Sequence, residues 1–545
     1  MNRVLIIGSG ISGLTCAIET AKRGGTAVLV SPYPSERSQS VMAAGGINAV
    51  LASCEEGDSV ELHISETIKS GCDIAGTGTV TALCEDAPAL IEWLESIGVV
   101  FTREAGGGVA RRAFGGQSRK RTGYAGASTG KQIVTALVQE ARRWECEGRI
   151  VRRLGLTFHS ALIYDGVCFG ALFYCEKTKS LVPLYADATV FAVGGQNCLF
   201  GKTTGSALCD GYAAGRLFLQ GAKLKNLEFI QYHPTTIETP QKRMLITEGA
   251  RGDGGRLYYV DGGGKRVYFM EDMYGERGNL MPRDIVSKCI YDAPSQVYLD
   301  ISFLGEKKIK ENLKEVYDLC REYLGLDVTK ESIPVAPSVH FFMGGLAVDI
   351  RHRTNIKNMY AVGECASIYH GANRLGGNSL LAAVHGGKAA ARSICEDGSP
   401  VPSPGFDSYI REQSDGLNWR LESQSPFSAV YIRNSLSQIM NEDLGILRTG
   451  EKLKEGLENV DYYLSVCDKI IYDSEVSPYQ GYSLSAMLTL GRAILACAER
   501  RRETRGAHIR ADYPLRSDAY EKCSVISYSG GKYDITYESE DEICL

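Results

Sequence analysis

The chain has 545 residues, of which 44% are hydrophobic and 23% are charged, and its formal net charge is -5. This length exceeds what a single hydrophobic core supports, so we expect several packed units. The near-average composition and the small negative charge argue against a dedicated nucleic-acid surface.

Cysteine spacing and apolar runs exclude further classes of protein. The seventeen cysteines are scattered singly, without a Cys-x-x-Cys pair, so we expect reduced thiols and no metal site. The opening MNRVLIIGSG lacks the features of a secretory signal, and no apolar run approaches the roughly 20 residues that span a bilayer. We therefore expect a cytoplasmic protein without a transmembrane segment of its own.

The first elements of the chain predict a β-α-β unit. Residues 4–7 form a short apolar strand, GSGISG opens a helix that runs to residue 21, and residues 28–30 form the next strand. In such a unit Gly8 permits the tight turn, Gly10 lets the backbone approach a pyrophosphate, and Gly13 lets helix and strand pack closely. This pattern predicts dinucleotide binding. Ser31 stands where an acidic residue usually binds the ribose, so a hydroxyl or a backbone group must substitute.

Later segments predict the domain organisation. A second apolar strand at 188–193 ends in Gly-Gly, and residues 361–364 repeat that pattern. We therefore expect the dinucleotide-binding domain to be discontinuous, with parts at 1–222 and 338–398 around an inserted domain at 223–337. A proline-containing linker then leads into helical patterns, which predict a helical domain at 399–515 and a C-terminal tail or small strand region at 516–545.

Five segments combine His, Arg, Thr, Glu and Asp with glycines: 232–235, 245–251, 281–284, 337–340 and 370–379. The planar fork of arginine meets a carboxylate with two hydrogen bonds, and His and Thr add directional donors. Any one of these residues alone is more often a surface ion pair or a hydrogen-bonded core residue. Their joint occurrence favours a site for a small dianion.

These strings resemble the flavoprotein subunits of fumarate reductase and succinate dehydrogenase, with aspartate oxidase as the sister family. The resemblance covers nearly the whole chain, including GSGISG, RAFGGQ, HPT, TEGARG, PRD, FMGG, GANRLGGNSLL and ETRGAH. It implies an α/β fold: a Rossmann-like FAD-binding domain with an inserted α+β capping domain and a C-terminal helical domain. It also implies hydride exchange between FAD and a four-carbon dicarboxylate.

The family pattern implies a role for each matching residue. The substrate carboxylates would be held by His233, Thr247, Glu248, His340 and Arg374, with Phe114 packed on the carbon skeleton. Arg283 matches the proton donor, and Glu248 and Arg251 match the relay that resupplies it. FAD would bind through Gly8, Gly10, Gly13, Ser31, Ser38, Gly45, Gly46, Asp210, Glu364 and Ser379.

The chain departs from the family pattern beside the flavin. Gln39 stands where the membrane-complex members have the histidine that bonds covalently to FAD, so the resemblance implies non-covalent FAD. In the family the covalent bond raises the flavin potential and supports succinate oxidation, so its absence favours fumarate reduction. Ala44 also replaces the usual Gln or Glu.

Two alternative functions stay open. An L-aspartate oxidase would convert aspartate to iminoaspartate; the stretch Phe114-Gly-Gly-Gln117 favours the fumarate enzymes, whereas Glu104 leaves room for amine recognition. A non-catalytic flavin-binding scaffold is disfavoured by Arg283, His340 and Arg374.

The resemblance also implies a partner. No cysteine spacing in this chain holds an iron-sulfur cluster, so a separate iron-sulfur subunit is the expected electron donor. Contact with the inner face of the membrane would then come only through partner subunits. A soluble flavin or nicotinamide donor would remove the need for that subunit.

Overall fold

The computed structural model describes residues 3–52, 56–126, 128–397, 404–422, 427–467, 470–471 and 481–540. The strands in these segments are β1 Arg3–Ile7, β2 Thr26–Ser31, β3 Ile47–Asn48, β4 Arg111–Arg112, β5 Thr122–Gly123, β6 Ile150–Leu154, β7 Leu156–Tyr164, β8 Val167–Cys175, β9 Ser180–Tyr185, β10 Ala188–Phe191, β11 Leu224–Lys225, β12 Ile230–Glu238, β13 Arg243–Leu245, β14 Arg256–Val260, β15 Arg266–Val267, β16 Val297–Asp300, β17 Ile333–Phe342, β18 Gly345–Ala347, β19 Met359–Ala361, β20 Ala366–Ser367, β21 Phe427–Ser428, β22 Leu447–Arg448, β23 Ile470–Ile471, β24 Ile509–Arg510, β25 Cys523–Ser529 and β26 Lys532–Glu538.

The α-helices in the same segments are α1 Ile11–Lys22, α2 Val60–Ser70, α3 Thr77–Ser96, α4 Thr129–Cys146, α5 Tyr212–Leu219, α6 Gly249–Gly252, α7 Phe269–Tyr274, α8 Arg283–Tyr291, α9 Glu306–Asn312, α10 Lys314–Leu324, α11 Asn378–Asp397, α12 Asp407–Glu422, α13 Ala429–Glu442, α14 Gly450–Val466 and α15 Leu484–Arg500.

A five-stranded parallel sheet with the order β19-β10-β1-β2-β6 forms the centre of the nucleotide-binding part. Its strands are short apolar runs, as parallel strands covered on both faces require. In β1, residues 4–6 are almost completely buried. Helices α1 and α11 pack against each other beside this sheet. Strands β1, β10 and β19 are neighbours although they lie far apart in the chain, so this sheet is assembled from separate segments.

The inserted segment has a sheet and a core of its own. Its six antiparallel strands follow the order β13-β12-β17-β16-β14-β15. Apolar side chains from these strands and from α7 to α10 form a separate hydrophobic cluster. Strand β17 runs through the predicted boundary at 337 and ends beside the parallel sheet. The two long central strands, β12 and β17, thus extend from the inserted segment toward the nucleotide-binding part.

The chain after residue 517 completes another sheet. Strands β25 and β26 form a hairpin, and β25 pairs with β11 in a five-stranded sheet of order β20-β18-β11-β25-β26. A tail or a small strand region was expected here, and the structure has the strand region. The hydroxyl of Ser524 on β25 donates to the buried carboxylate of Glu228, two residues before β12, at 2.7 Å. The C-terminal segment therefore supports the strand that carries much of the site described below.

Among the described helices, none combines the length and the apolar character that a membrane crossing requires.

Candidate active site

A cavity of about 910 Å³ lies at the carboxyl ends of the parallel strands, where the inserted segment and the start of α11 meet them. Nine of the ten predicted cofactor residues line it: Gly8, Gly10, Ser31, Ser38, Gly45, Gly46, Asp210, Glu364 and Ser379. Gln39 lines it as well. The predicted proton donor Arg283 also lines it, as do the predicted substrate residues Phe114, His233, Thr247, Glu248, His340 and Arg374. The structure thus joins the two predicted sites in one space.

Gly13 does not line the cavity, because it serves the packing of α1. A Cβ at Gly13 would lie 1.9 Å from the carbonyl oxygen of Gly8. Gly8 itself has a φ of +109°, and a Cβ there would lie 2.1 Å from the carbonyl oxygen of Ala192. The two glycines thus let the turn press against β10 and bring the N-terminus of α1 to the cavity. The first turn of α1 contains no acidic residue, so its backbone amides can face an anion.

The remaining polar groups of this half fit an FAD molecule. The Ser38 hydroxyl oxygen is buried without a hydrogen-bond partner, so a ligand atom can satisfy it. The Ser31 hydroxyl donates to the carbonyl of Tyr33 at 2.7 Å, so that hydroxyl is already committed within the protein. Burial raises the pKa of Glu364 to about 7, although its carboxylate accepts the Phe342 amide at 3.1 Å. A carboxyl that is partly protonated near neutral pH can donate or accept a hydrogen bond.

In the substrate half, one carboxylate joins two arginines. Glu248 Oε2 accepts from Arg283 Nη2 at 2.5 Å and from Arg283 Nε at 2.9 Å. Glu248 Oε1 lies 3.3 Å from Arg251 Nη2 and accepts the Gly115 amide at 2.9 Å. Arg251 does not line the cavity and lies behind Glu248, with its Nη1 donating to the carbonyl of Asn279 at 2.6 Å. Arg251, Glu248 and Arg283 thus contact one another in that order, and Arg283 lines the cavity.

Gln231 is a site residue that sequence reasoning missed. Its Oε1 accepts from Arg283 Nη1 at 3.0 Å and from Arg374 Nη2 at 2.9 Å, so one amide oxygen holds two guanidinium groups. Its Nε2 donates to the side chain of Asn373 and to the carbonyl of Arg374, both at 2.8 Å. Its position two residues before His233 was the available signal, but the pairing of β12 is irregular between Gln231 and Tyr232, which strand alternation does not predict.

The two histidines lie next to each other on the paired strands β12 and β17. The rings of His233 and His340 are 5.2 Å apart in an edge-to-face arrangement. His340 Nδ1 lies 2.9 Å from the Thr204 hydroxyl, another contact that sequence reasoning did not identify. His233 Nδ1 contacts the Thr235 amide at 3.3 Å and the Thr235 carbonyl at 3.1 Å, and its Nε2 is buried without a partner. The side of the ring that carries Nε2 is therefore available to a ligand.

Phe114 and Thr247 complete the predicted set. Phe114 is buried, and its ring is so close to Gly45 that a Cβ there would lie 3.1 Å from it. It therefore packs at the junction of the two halves of the cavity. The Thr247 hydroxyl oxygen accepts the Gly249 amide at 3.3 Å, which leaves its proton free to be donated.

The charges of this cluster shift one another's pKa values. Burial alone would raise the pKa of Glu248, but Arg283 and Arg251 outweigh it and bring that pKa down to about 2. Burial lowers the pKa of Arg374, reinforced by Arg283, and lowers that of Arg251 although Glu248 opposes the shift. Burial and Arg283 also hold the pKa values of both histidines well below their usual range. Glu248 is therefore ionised and both imidazoles are neutral near pH 7.

Three guanidinium groups meet one ionised carboxylate, and Glu364 near Arg374 is only partly ionised near pH 7, so the cluster carries a net positive charge. The Arg374 guanidinium also lies 4.3 Å over the Phe341 ring, and its Nε is buried without a hydrogen-bond partner. The part of the cavity beside these arginines therefore favours binding of an anion.

Comparison with known proteins identifies the class. The family model described as FAD binding domain matches residues 3–380, and the model described as Fumarate reductase flavoprotein C-term matches residues 433–542. Fold and site together define an FAD-dependent oxidoreductase. The chain belongs to the family of succinate dehydrogenase and fumarate reductase flavoprotein subunits. The family and the fold class predicted from the sequence are confirmed.

The similar proteins include enzymes named for opposite directions of one reaction. The chain is 36% identical to the succinate dehydrogenase flavoprotein subunit of Bacillus subtilis, over 94% of this chain and 92% of the relative. It is 33% identical to one subunit of the fumarate reductase (CoM/CoB) of Methanothermobacter marburgensis, over 94% of each chain. A solved variant of the Escherichia coli quinol fumarate reductase matches with a TM-score of 0.88 and 29% identity, over 100% of this chain and 97% of that one.

Proposed function

We propose that this protein reduces fumarate to succinate, with non-covalently bound FAD as the hydride donor. The observation that carries the proposal is the convergence of Arg283, Arg251 and Arg374, whose charge is offset only in part by Glu248. A dicarboxylate brings the negative charge that the cluster lacks. Charge-assisted hydrogen bonds from arginine to carboxylate are strong and directional, so they suit this role.

Unpartnered donors support the placement of the carboxylates. Arg374 Nε and His233 Nε2 are both buried without a hydrogen-bond partner. A buried polar atom in that state costs roughly 1–3 kcal/mol, and a substrate carboxylate would relieve the cost. In the tautomer in which His233 Nδ1 accepts the Thr235 amide, the ring proton is on Nε2 and can be donated to that carboxylate. His340 and Thr247 supply further donors in the proposal.

Reduced FAD, when bound, supplies a hydride to one alkene carbon. In the proposal Arg283 gives a proton to the other alkene carbon, so the double bond takes up one hydride and one proton and becomes the single bond of succinate. The relay runs through Glu248, which accepts two hydrogen bonds from Arg283 and faces Arg251. The lowered pKa of Arg251, caused first by burial, makes that arginine a better proton source.

Gln39 supports the direction of the reaction and the mode of FAD binding. A glutamine side chain cannot form the covalent flavin bond, and we propose that the lower flavin potential that follows favours reduction of fumarate. The relatives above are named as subunits, and we propose that a separate iron-sulfur subunit brings the electrons to FAD.

Anaerobic flavin reoxidation tests the proposal. The purified protein is reduced, fumarate is added, and the flavin absorbance is followed. We expect rapid reoxidation in the wild type and in Arg266→Ala, a control that removes an exposed arginine of the inserted segment. Arg283→Ala should retain FAD and lose reoxidation by fumarate.

Two results would contradict the proposal. A wild type that ignores fumarate while aspartate reduces its flavin would establish the aspartate oxidase alternative. Full reoxidation in Arg283→Ala would remove Arg283 as the proton donor.

A further inference from the structure

The cavity is also lined by residues of β13 and α10, which are distinct from those that would clamp a four-carbon dicarboxylate. These residues are Arg243, Met244 and Leu245 on β13 and Glu315, Val316 and Leu319 on α10. We call the part of the cavity that they line the α10 compartment. Four of the six side chains are apolar, and the Arg243 guanidinium pairs with Glu238 at 3.0 Å. Glu315 is the carboxyl group among them.

Glu315 has an unused hydrogen-bonding atom. Its Oε1 is buried and has no hydrogen-bond partner. Burial raises the pKa of the Glu315 carboxyl to about 7, although Arg112 opposes the shift. Near neutral pH this carboxyl can therefore donate or accept a hydrogen bond.

Arg112 lies near Glu315 and does not close an ion pair with it among the described contacts. Its guanidinium lies 3.7 Å over the Tyr124 ring, and its Nη2 donates to the carbonyl of Asn312 at 3.2 Å. Its Nη1 is buried without a hydrogen-bond partner. The stacking on Tyr124 and the hydrogen bond to Asn312 hold the Arg112 guanidinium in place. The carboxyl of Glu315 therefore remains available to bind a ligand.

Other carboxyl groups in the cavity wall are engaged. Glu248 binds Arg283, Glu364 accepts the Phe342 amide, and Asp210 accepts the Tyr212 amide at 2.9 Å. None of these three has a buried oxygen without a partner in the described structure, whereas Glu315 does. Buried polar atoms are normally hydrogen-bonded, and an exception calls for an explanation. A ligand group that reaches the α10 compartment would supply the missing partner.

We propose that the α10 compartment receives a substituent on the dicarboxylate and that Glu315 hydrogen-bonds to a hydroxyl at the end of it. The inference rests on the proposed dicarboxylate site and deepens it. The apolar walls suit a short carbon chain, and the carboxyl suits the hydroxyl beyond that chain. The substrate class is a fumarate with a short hydroxyalkyl group at C2. Glu315 is then a specificity-determining residue and exchanges neither hydride nor proton with the double bond.

A comparison of three alternative substrates tests the inference on the FAD-loaded protein, with an anaerobically reduced viologen dye as electron donor. The substrates are fumarate, 2-methylfumarate and 2-(hydroxymethyl)fumarate. In the wild type we expect kcat/KM for the hydroxymethyl compound to exceed that for the methyl compound about tenfold, the usual worth of one hydrogen bond. Glu315→Leu should abolish this preference, and Glu315→Gln, which keeps a donor and an acceptor, should retain most of it.

A second variant keeps the test independent of the stability of Glu315→Leu. Leu319→Phe narrows the α10 compartment, so kcat/KM for both substituted fumarates should fall relative to fumarate. Flavin content is measured for every variant to identify misfolded protein. If Glu315→Leu does not retain FAD, the Leu319→Phe ratios decide the matter, and unchanged ratios overturn the inference.

Activity with unsubstituted fumarate distinguishes failure of this inference from failure of the proposed function. A wild type that reduces fumarate but treats the two substituted compounds alike overturns the inference alone, as does a Glu315→Leu variant that keeps the preference. A wild type that reduces none of the three compounds overturns the proposed function and this inference with it.

Discussion

Gln231→Leu perturbs the site at the amide oxygen that both Arg283 and Arg374 share. Leucine is of similar size but offers no acceptor, so two charge-assisted hydrogen bonds of 3.0 and 2.9 Å are lost. Such bonds contribute roughly 1.5–3 kcal/mol each. Both guanidinium groups would then repel each other without the oxygen between them. A displacement of about 1 Å at a reacting group costs about 10²-fold in rate, so we expect kcat/KM for fumarate to fall by that factor.

The assay is dye-coupled fumarate reduction, with flavin content and thermal unfolding measured on the same samples. Gln220→Leu is the matched control, because the amide of Gln220 is partly buried and likewise hydrogen-bonded, to the backbone of Ala161, outside the site. The control should lower Tm while kcat/KM stays at the wild-type value. Wild-type kcat/KM in Gln231→Leu with full FAD would refute the claim that Gln231 positions the two arginines.

Three further predictions follow from the cofactor half and from the buried histidines. Acid precipitation should release FAD into the supernatant if FAD is bound non-covalently, as we propose from Gln39; a yellow pellet would contradict this. Gly13→Ala, whose Cβ would meet Gly8 O at 1.9 Å, should lose FAD. Gly78→Ala, at the second residue of α3 with no atom within 4 Å from outside its own helix turn, should keep FAD and gain up to about 1 kcal/mol of stability. His63 and His352 have pKa values lowered by burial from 6.5 to about 4, so the unfolded state binds protons first as pH falls. Between pH 6.5 and about pH 4, each of these two histidines should therefore lower the free energy of unfolding by up to about 1.4 kcal/mol per pH unit as the pH falls. Glu315 and Glu364, whose pKa values are raised to about 7, contribute in the opposite direction, so the shift in urea midpoint between pH 7 and pH 5 is compared between the wild type and His63→Gln. Equal shifts in the two proteins would contradict the prediction for His63.

Local rules determined the nucleotide-binding half from sequence. The string GSGISG between an apolar strand and an amphipathic helix predicted the tight turn, and the structure shows why glycine is needed: Gly8 and Gly13 tolerate no Cβ where they pack. Nine of the ten residues expected at FAD line the cavity, and their roles toward FAD stay predictions. The family resemblance depends on long strings in a fixed order, which is why the amino-acid sequence was enough to predict both family and fold.

Tertiary structure alone decided how the charges meet. Gln231 comes from β12, Arg283 from the start of α8 and Arg374 from the turn before α11, and no local pattern states that one amide oxygen would hold both guanidinium groups. The sequence also could not predict the state of Glu315. Its carboxyl oxygen is buried at the cavity without a hydrogen-bond partner because of how α10 packs there. The strands after residue 517 likewise depend on pairing with β11, about three hundred residues earlier. Sequence patterns report which residues a segment prefers locally, whereas hydrogen-bond partners and burial are properties of segments brought together by folding.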